Sequence, residues 1–445
     1  MKTTFVSAVA LAAVLGSAAN AQSDDRIKFE YWYALGGYLG DVIQSTCDSF
    51  NASQDTYEIV CVGQGGYSAA VQNSIAAFRA DKHPTMTQTG EGFTADMMLS
   101  GEFYSVTQMM TDFGIEIDWD DYFPGIASYW ASSTGELYAL PFNVSTPVVY
   151  YNVDDFNAAG IEPAETWEEF EANLRALKAT NPEKCAMAWE LGGWVELEQF
   201  SMIHNIPVAS NNNGFDGLDA ELVYNTTLHV KHMEDRKRWF DDGLMEIKDR
   251  AVGAGQRSSF TSNQCSVYMN SIGEHQTVHE SAVEGLNWDV SLVPVYEGYE
   301  RHNTVVGGGA LWVLSGKTEG EYRGAAEYLK FLSTPESAIY WSSNTGYIPV
   351  TNSGYQAMMA DGFYENPPYK GRELAIESLT VTPPTSLTRG MRLGFWVQSR
   401  SEWVSEIQAA FAGEKTIQEA LDAAVERGNR NLRKFERTYS GKQLP

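Results

Sequence analysis

Pro141-Phe142-Asn143-Val144-Ser145-Thr146-Pro147-Val148-Val149-Tyr150-Tyr151-Asn152 is an extended, β-branched and aromatic stretch, able to cross from one lobe of a protein to another. A second extended segment, Val305-Val306-Gly307-Gly308-Gly309-Ala310-Leu311-Trp312-Val313-Leu314, reads as the return crossing. Two crossings so far apart predict lobes that are discontinuous in sequence. Residues 22–142 with 310–338 are expected to form lobe 1, and 143–309 with 339–445 to form lobe 2. A chain of 445 residues exceeds one ordinary core, and a hydrophobic fraction of 43% is enough to fill two.

Before the first crossing, Ile27-Lys28-Phe29-Glu30-Tyr31-Trp32-Tyr33 alternates as a strand, and Val42, Ile43, Cys47 and Phe50 follow at helical spacing. Tyr57 to Cys61 reads as the next strand, Val71, Ile75 and Phe78 as the next helix, and Met86 to Thr89 as a third strand. This alternation predicts an α/β fold with a mainly parallel sheet. Ligands in such sheets bind beyond the carboxyl ends of strands, where Tyr67 and Glu91 sit. Thr166 and Glu169 make a T-x-x-E capping box that starts a helix. Further helices are expected from about Glu321 to Leu332 and, as a closing element, from Ile417 through Ala424 to Leu432.

The first residues read as a secretory signal: Lys2, an apolar run from Phe5 to Leu15, and a small-residue cleavage site at Ala19-Asn20-Ala21. The mature chain is expected to start at Gln22. No cysteine follows the apolar run to carry a lipid, which favours a free periplasmic protein. Lys and Arg total 31 against 58 Asp and Glu, a net charge of -27 that repels nucleic acid and anionic lipid. That field repels anionic ligands as well, so any phosphate site needs local donors and a cation. Four cysteines in an oxidising compartment allow three pairings. Cys47 with Cys61 and Cys185 with Cys265, one bond per lobe, is preferred, with buried free thiols as the alternative.

A search for reactive constellations fails. Gly316-Lys317-Thr318 resembles the end of a phosphate-binding loop, but Leu311 stands where that motif needs its first glycine, so a strand-ending turn is expected. There is no G-x-S-x-G elbow and no H-E-x-x-H helix. His275 and His279, with Glu280 beside them, have a metal-compatible spacing but no third ligand. No metal, cofactor or catalytic residue is therefore expected. Tryptophans and tyrosines are abundant, 12 and 23, and several such as Trp194 and Tyr347 fall in turns.

Ser74 to Arg79, Pro141 to Asn152, Asn212 to Gly217, Asn344 to Pro349, Gly390 to Gly394 and Ala423 to Asn429 carry a resemblance over nearly the whole mature chain. The sequence resembles the extracellular solute-binding proteins of ATP-driven importers, most closely their glycerol phosphate-binding branch. The resemblance implies a two-lobed, maltose-binding-protein-like periplasmic fold closing over a ligand, a membrane permease as partner, and a monomer that catalyses nothing. It also places a ligand pocket on Tyr67, Glu91, Ser145, Trp194, Ser271, Gly307, Gly308, Tyr347 and Arg400. Hydroxyls and backbone N–H groups there can donate to phosphate, Arg400 supplies a planar charged fork, Glu91 accepts from glycerol hydroxyls, and Trp194 makes a flat wall. Leu191 aligns where the family can carry a second tryptophan. The expected ligand is consequently a glycerophosphodiester, glycerophosphocholine first, or sn-glycerol 3-phosphate. An oligosaccharide binder of the same fold and a periplasmic phosphodiesterase are the competing readings.

Overall fold

Strand β1 (Ile27–Tyr33) buries Phe29 and Tyr31 while Lys28 and Glu30 face solvent, the alternation that a half-covered strand requires. The computed structural model describes residues 26–248, 255–366 and 369–445. The expected signal segment, residues 1–21, and the start at Gln22 lie outside the described residues.

β1 runs parallel to β2 (Tyr57–Gly63) and to β3 (Met86–Gly90). The mainly parallel sheet expected from the strand-helix alternation stops there. β11 (Gly307–Leu314) lies antiparallel to β3 on one side and to β4 (Phe103–Tyr104) and β5 (Leu140–Ser145) on the other. It arrives from the other sheet and not through a local crossover helix, so nothing forces it parallel. The second sheet has the order β10-β6-β9-β7-β8, in which β6 (Pro147–Asn152) is antiparallel to β9 (Cys265–Ser271) and β10 (Trp288–Ser291). In the same sheet β7 (Cys185–Trp189) is parallel to β8 (Met245–Ile247) and β9.

The first crossing between the sheets is made at one residue. Ser145 pairs with Gly307 in the first sheet and Pro147 with Ser271 in the second. Between them Thr146 is buried and donates from Oγ1 to the Ala375 carbonyl at 3.0 Å. Apolar side chains gather into two large clusters, one around Phe29, Ile59 and Leu311, the other around Val149, Met187 and Val267.

Both preferred disulfides are present. Cys47–Cys61 ties the helix Gly37–Ser53 to β2, and Cys185–Cys265 joins directly paired positions of β7 and β9. Thr166 caps the helix Trp167–Thr180: its hydroxyl accepts from the Glu169 N–H, and Glu169 accepts from the Thr166 N–H, each at 3.2 Å. Thr318 with Glu321 repeats this box after β11, so Gly316-Lys317-Thr318 is the strand-to-helix turn expected. Thr166→Ala should lower unfolding stability by about 1 kcal/mol in urea titrations, the usual worth of such a cap.

The helix Tyr67–Phe78 departs from its expected face. Ala70, Val71 and Ser74 are buried, whereas Ile75 is 48% exposed. Ser74 Oγ lies 3.0 Å from Thr87 Oγ1 on β3, and this polar pair turns the helix away from the register the apolar residues alone suggest. The closing helix Ile417–Thr438 buries Leu421, Ala424, Leu432 and Phe435, and packs on the helix Trp396–Phe411. Among the described residues, no helix is long and apolar enough to cross a membrane.

Candidate ligand cleft

A cleft of about 990 Å³ lies between the two sheets. Tyr67, Glu91, Ser145, Leu191, Trp194, Ser271, Gly308, Tyr347 and Arg400 all line it. Tyr67 opens the helix after β2, Glu91 follows β3, Ser145 ends β5, Ser271 ends β9, and Gly308 lies near the start of β11. Gly307 is not a lining residue. The Trp194 indole lies so close against it that any Cβ at that position would collide with the ring. Gly308 has a left-handed φ of 110° and abuts the Asn143 carbonyl, a place only glycine fits easily.

Two hydrogen-bond relays give the cleft its polarity. Gln88 Oε1 accepts from the Ala34 N–H at 2.7 Å, which leaves its amide nitrogen to donate to Asn143 Oδ1, also at 2.7 Å. Asn143 Nδ2 must then donate to the Tyr67 hydroxyl oxygen, and the Tyr67 proton is left for the cleft. The second relay starts at the Gly273 N–H, which donates to Ser271 Oγ at 2.9 Å; Ser271 donates in turn to Ser145 Oγ at 2.7 Å. The Ser145 proton is the one left over. The first relay is locked in direction by its two amides, and in the second, with Ser271 as donor, the Ser145 O–H is left to donate. Tyr347, stacked on Trp341 at 5.7 Å, adds a third hydroxyl beside them.

Arg400, from the helix Trp396–Phe411, provides the cation. Its Nη1 donates to Glu91 Oε1 at 3.2 Å and to Glu198 Oε1 at 2.9 Å. It does not pair with Glu402, which binds Arg427. Burial works against the guanidinium charge, but the two carboxylates hold its pKa well above the ordinary value. Glu91 Oε2 accepts from the Gly308 N–H at 3.3 Å, so that backbone donor, expected to serve a phosphate, is already engaged.

Trp194, expected in a turn, starts a π-helical segment, Trp194–Gln199. Buried charge holds that segment. Glu196 accepts from Trp189 Nε1 at 2.7 Å and from Arg236 Nε at 3.0 Å, and lies 2.9 Å from His232 Nε2. The Arg236 guanidinium sits over the Trp167 and Trp239 rings. Burial opposes the Glu196 charge, yet Arg236 and His232 outweigh it and hold the carboxyl at about 2. His275 Nδ1, by contrast, accepts from Arg372 Nε at 3.0 Å, a structural contact.

Asn143, Gln88 and Glu198 escape a reading of the sequence alone. Asn143 lies inside the crossing segment, a placement that points to it. Gln88 and Glu198 have no comparable signal: Glu198 is one of 58 acidic residues, and its π-helical placement follows no regular spacing.

Comparison with known proteins agrees with this architecture. Residues 45–368 match the family of bacterial extracellular solute-binding proteins. The sn-glycerol-3-phosphate-binding periplasmic protein UgpB of Yersinia pseudotuberculosis is 37% identical over 438 residues, 96% of this chain and 97% of the relative. UgpB from Mycobacterium tuberculosis, solved in complex with glycerophosphocholine, superposes with a TM-score of 0.74 at 16% identity, covering 92% of this chain and 99% of that one. The sugar-binding protein MalE from Xanthomonas citri superposes with a TM-score of 0.71 at 16% identity, covering 93% and 100%. With two sheets flanking one donor-lined cleft and a match over nearly its full length, the chain belongs to the bacterial extracellular solute-binding protein family.

Proposed function

We propose that this protein captures a phosphate ester of glycerol in the periplasm and delivers it to the permease of an ATP-driven importer, with no chemical change to the ligand. The observation that carries this reading is the pair of relays ending in the Tyr67 and Ser145 protons beside the free edge of Arg400. Hydroxyl donors around a guanidinium suit a phosphate oxygen cluster, and they answer the repulsion of a chain with net charge -27. The sn-glycerol 3-phosphate for which the Yersinia relative is named supports the same chemistry.

Within that class the preferred ligand is a glycerophosphodiester, glycerophosphocholine first, with sn-glycerol 3-phosphate second. Leu191 lines the cleft where a tryptophan would narrow it, leaving space for a head group. Calorimetric titration with both esters tests this, and tight binding of glycerol 3-phosphate with none of the diester refutes the preference. Leu191→Trp should weaken glycerophosphocholine at least about tenfold relative to glycerol 3-phosphate, a cost of about 1.4 kcal/mol.

Glu91 and Trp194, which line the same cleft, together with the MalE likeness, favour an oligosaccharide as the second reading. Titration with maltose under the same conditions separates the two. The proposal includes a monomer, cleavage after Ala21, and lobe limits at 22–142 with 310–338 and 143–309 with 339–445.

A further inference from the structure

Glu198 is a carboxylate that does not line the cleft and has no role in the phosphate-ester reading above. Its side chain is 2% exposed, against 23% for Arg400, so it lies behind the arginine as seen from the cleft. Glu198 Oε1 accepts both from Arg400 Nη1 and from Trp396 Nε1, each at 2.9 Å. Glu91 reaches the same Nη1 from the first sheet's side. One cation thus serves two carboxylates through a single nitrogen. Among the described residues, Nη2 and Nε donate no hydrogen bond and form the edge that a ligand would meet.

We propose that Glu198 is the positioning residue for Arg400 and that it takes up one proton from solvent when a phosphate ester docks on the guanidinium. The inference rests on the phosphate-ester reading above. Its basis is charge balance in a buried space: a third anion beside one guanidinium leaves two negative charges uncompensated. The ligand keeps its charge and Glu91 lies nearer the cleft, so the carboxylate shut away from water is the one that neutralises. A protonated Glu198 still accepts from Trp396, and Arg400 keeps its place.

The charged and titratable groups around Glu198 are consistent with this. They are Arg400 on its own side of the cleft, Glu91 across it, and the Tyr129 phenol, whose surroundings also include Arg392. Burial lifts the Glu198 carboxyl to about 7, with Arg400 opposing and Glu91 adding to the rise. An anion docked on the guanidinium adds a further charge that raises it in the same direction.

The sign follows directly. A group more protonated in the complex than in the free protein makes binding weaken as pH rises through its free value, by up to tenfold per pH unit. Glycerophosphocholine is the right probe, because a phosphodiester has no proton to gain or lose in this range. Titration calorimetry at pH 8 in buffers of different ionisation enthalpy should report uptake approaching one proton per ligand, and the affinity should fall about tenfold between pH 8 and pH 9. Glu198→Gln should remove both effects. Binding of the diester by the wild type with no proton exchange overturns the inference and leaves the phosphate-ester reading standing. Retention of the full pH slope in the glutamine variant likewise overturns it. Failure of the wild type to bind either ester sinks the phosphate-ester reading and this inference together. The wild-type measurement needs no variant, so a folding defect in Glu198→Gln cannot hide the result.

Discussion

Arg400→Ala should abolish measurable capture of either glycerol phosphate ester. Truncating one partner of a buried, hydrogen-bonded charge pair costs about 2–5 kcal/mol, which at about 1.4 kcal/mol per decade is a loss of about 30- to 4,000-fold in affinity. The upper part of that range is expected here, because the substitution also leaves Glu91 and Glu198 facing the ligand's phosphate with no cation between them. Arg400→Lys keeps a charge but lacks the planar fork, and should fall between the wild type and the alanine variant. Calorimetry with sn-glycerol 3-phosphate and with maltose reads the result. Loss of the ester by less than about threefold would contradict an anionic ligand at this position, and maltose binding that survives Arg400→Ala would favour a sugar.

The second large effect concerns stability. Cys185–Cys265 closes a separation of 80 residues, whereas Cys47–Cys61 closes only 14. Loop-closure entropy grows with the logarithm of that length, giving about 4.5 kcal/mol for the long loop and about 3 kcal/mol for the short one. Replacing Cys185 and Cys265 together by serine should therefore lower the guanidinium midpoint more than the same change at Cys47 and Cys61. The long bond also fixes the pairing of β7 with β9, the strand that delivers Ser271 to the cleft. Equal losses from the two double variants would show that chain entropy is not what these bonds contribute.

The two crossings, the first three strands, the capping box at Thr166 and the closing helix are legible because each depends on local chemistry. Alternation fixes β1, and a T-x-x-E box fixes a helix start. Strand direction was not legible for β11, since it is decided by where the chain has travelled between residues 145 and 307. The face of the helix Tyr67–Phe78 was missed because a serine-threonine pair outweighed the apolar spacing of Ile75 and Phe78. Of the pocket residues that the resemblance implies, the structure brings all except Gly307 to the lining of the cleft. The resemblance did not reach the residues behind them. Gln88 and Asn143 orient Tyr67, and Glu198 holds Arg400, through contacts 55 to 202 residues apart in sequence that no short motif encodes.

β11 has a consequence for biosynthesis. It fills the middle of the first sheet, between β3 on one side and β4 and β5 on the other, yet it is residues 307–314 of the chain. β3, β4 and β5 leave the ribosome without the strand they all pair with and must wait while the whole second sheet is made. Contacts so distant in sequence form slowly, because the loop must close before they repay it. Completion of the first sheet is thus deferred until every strand of the second has been made.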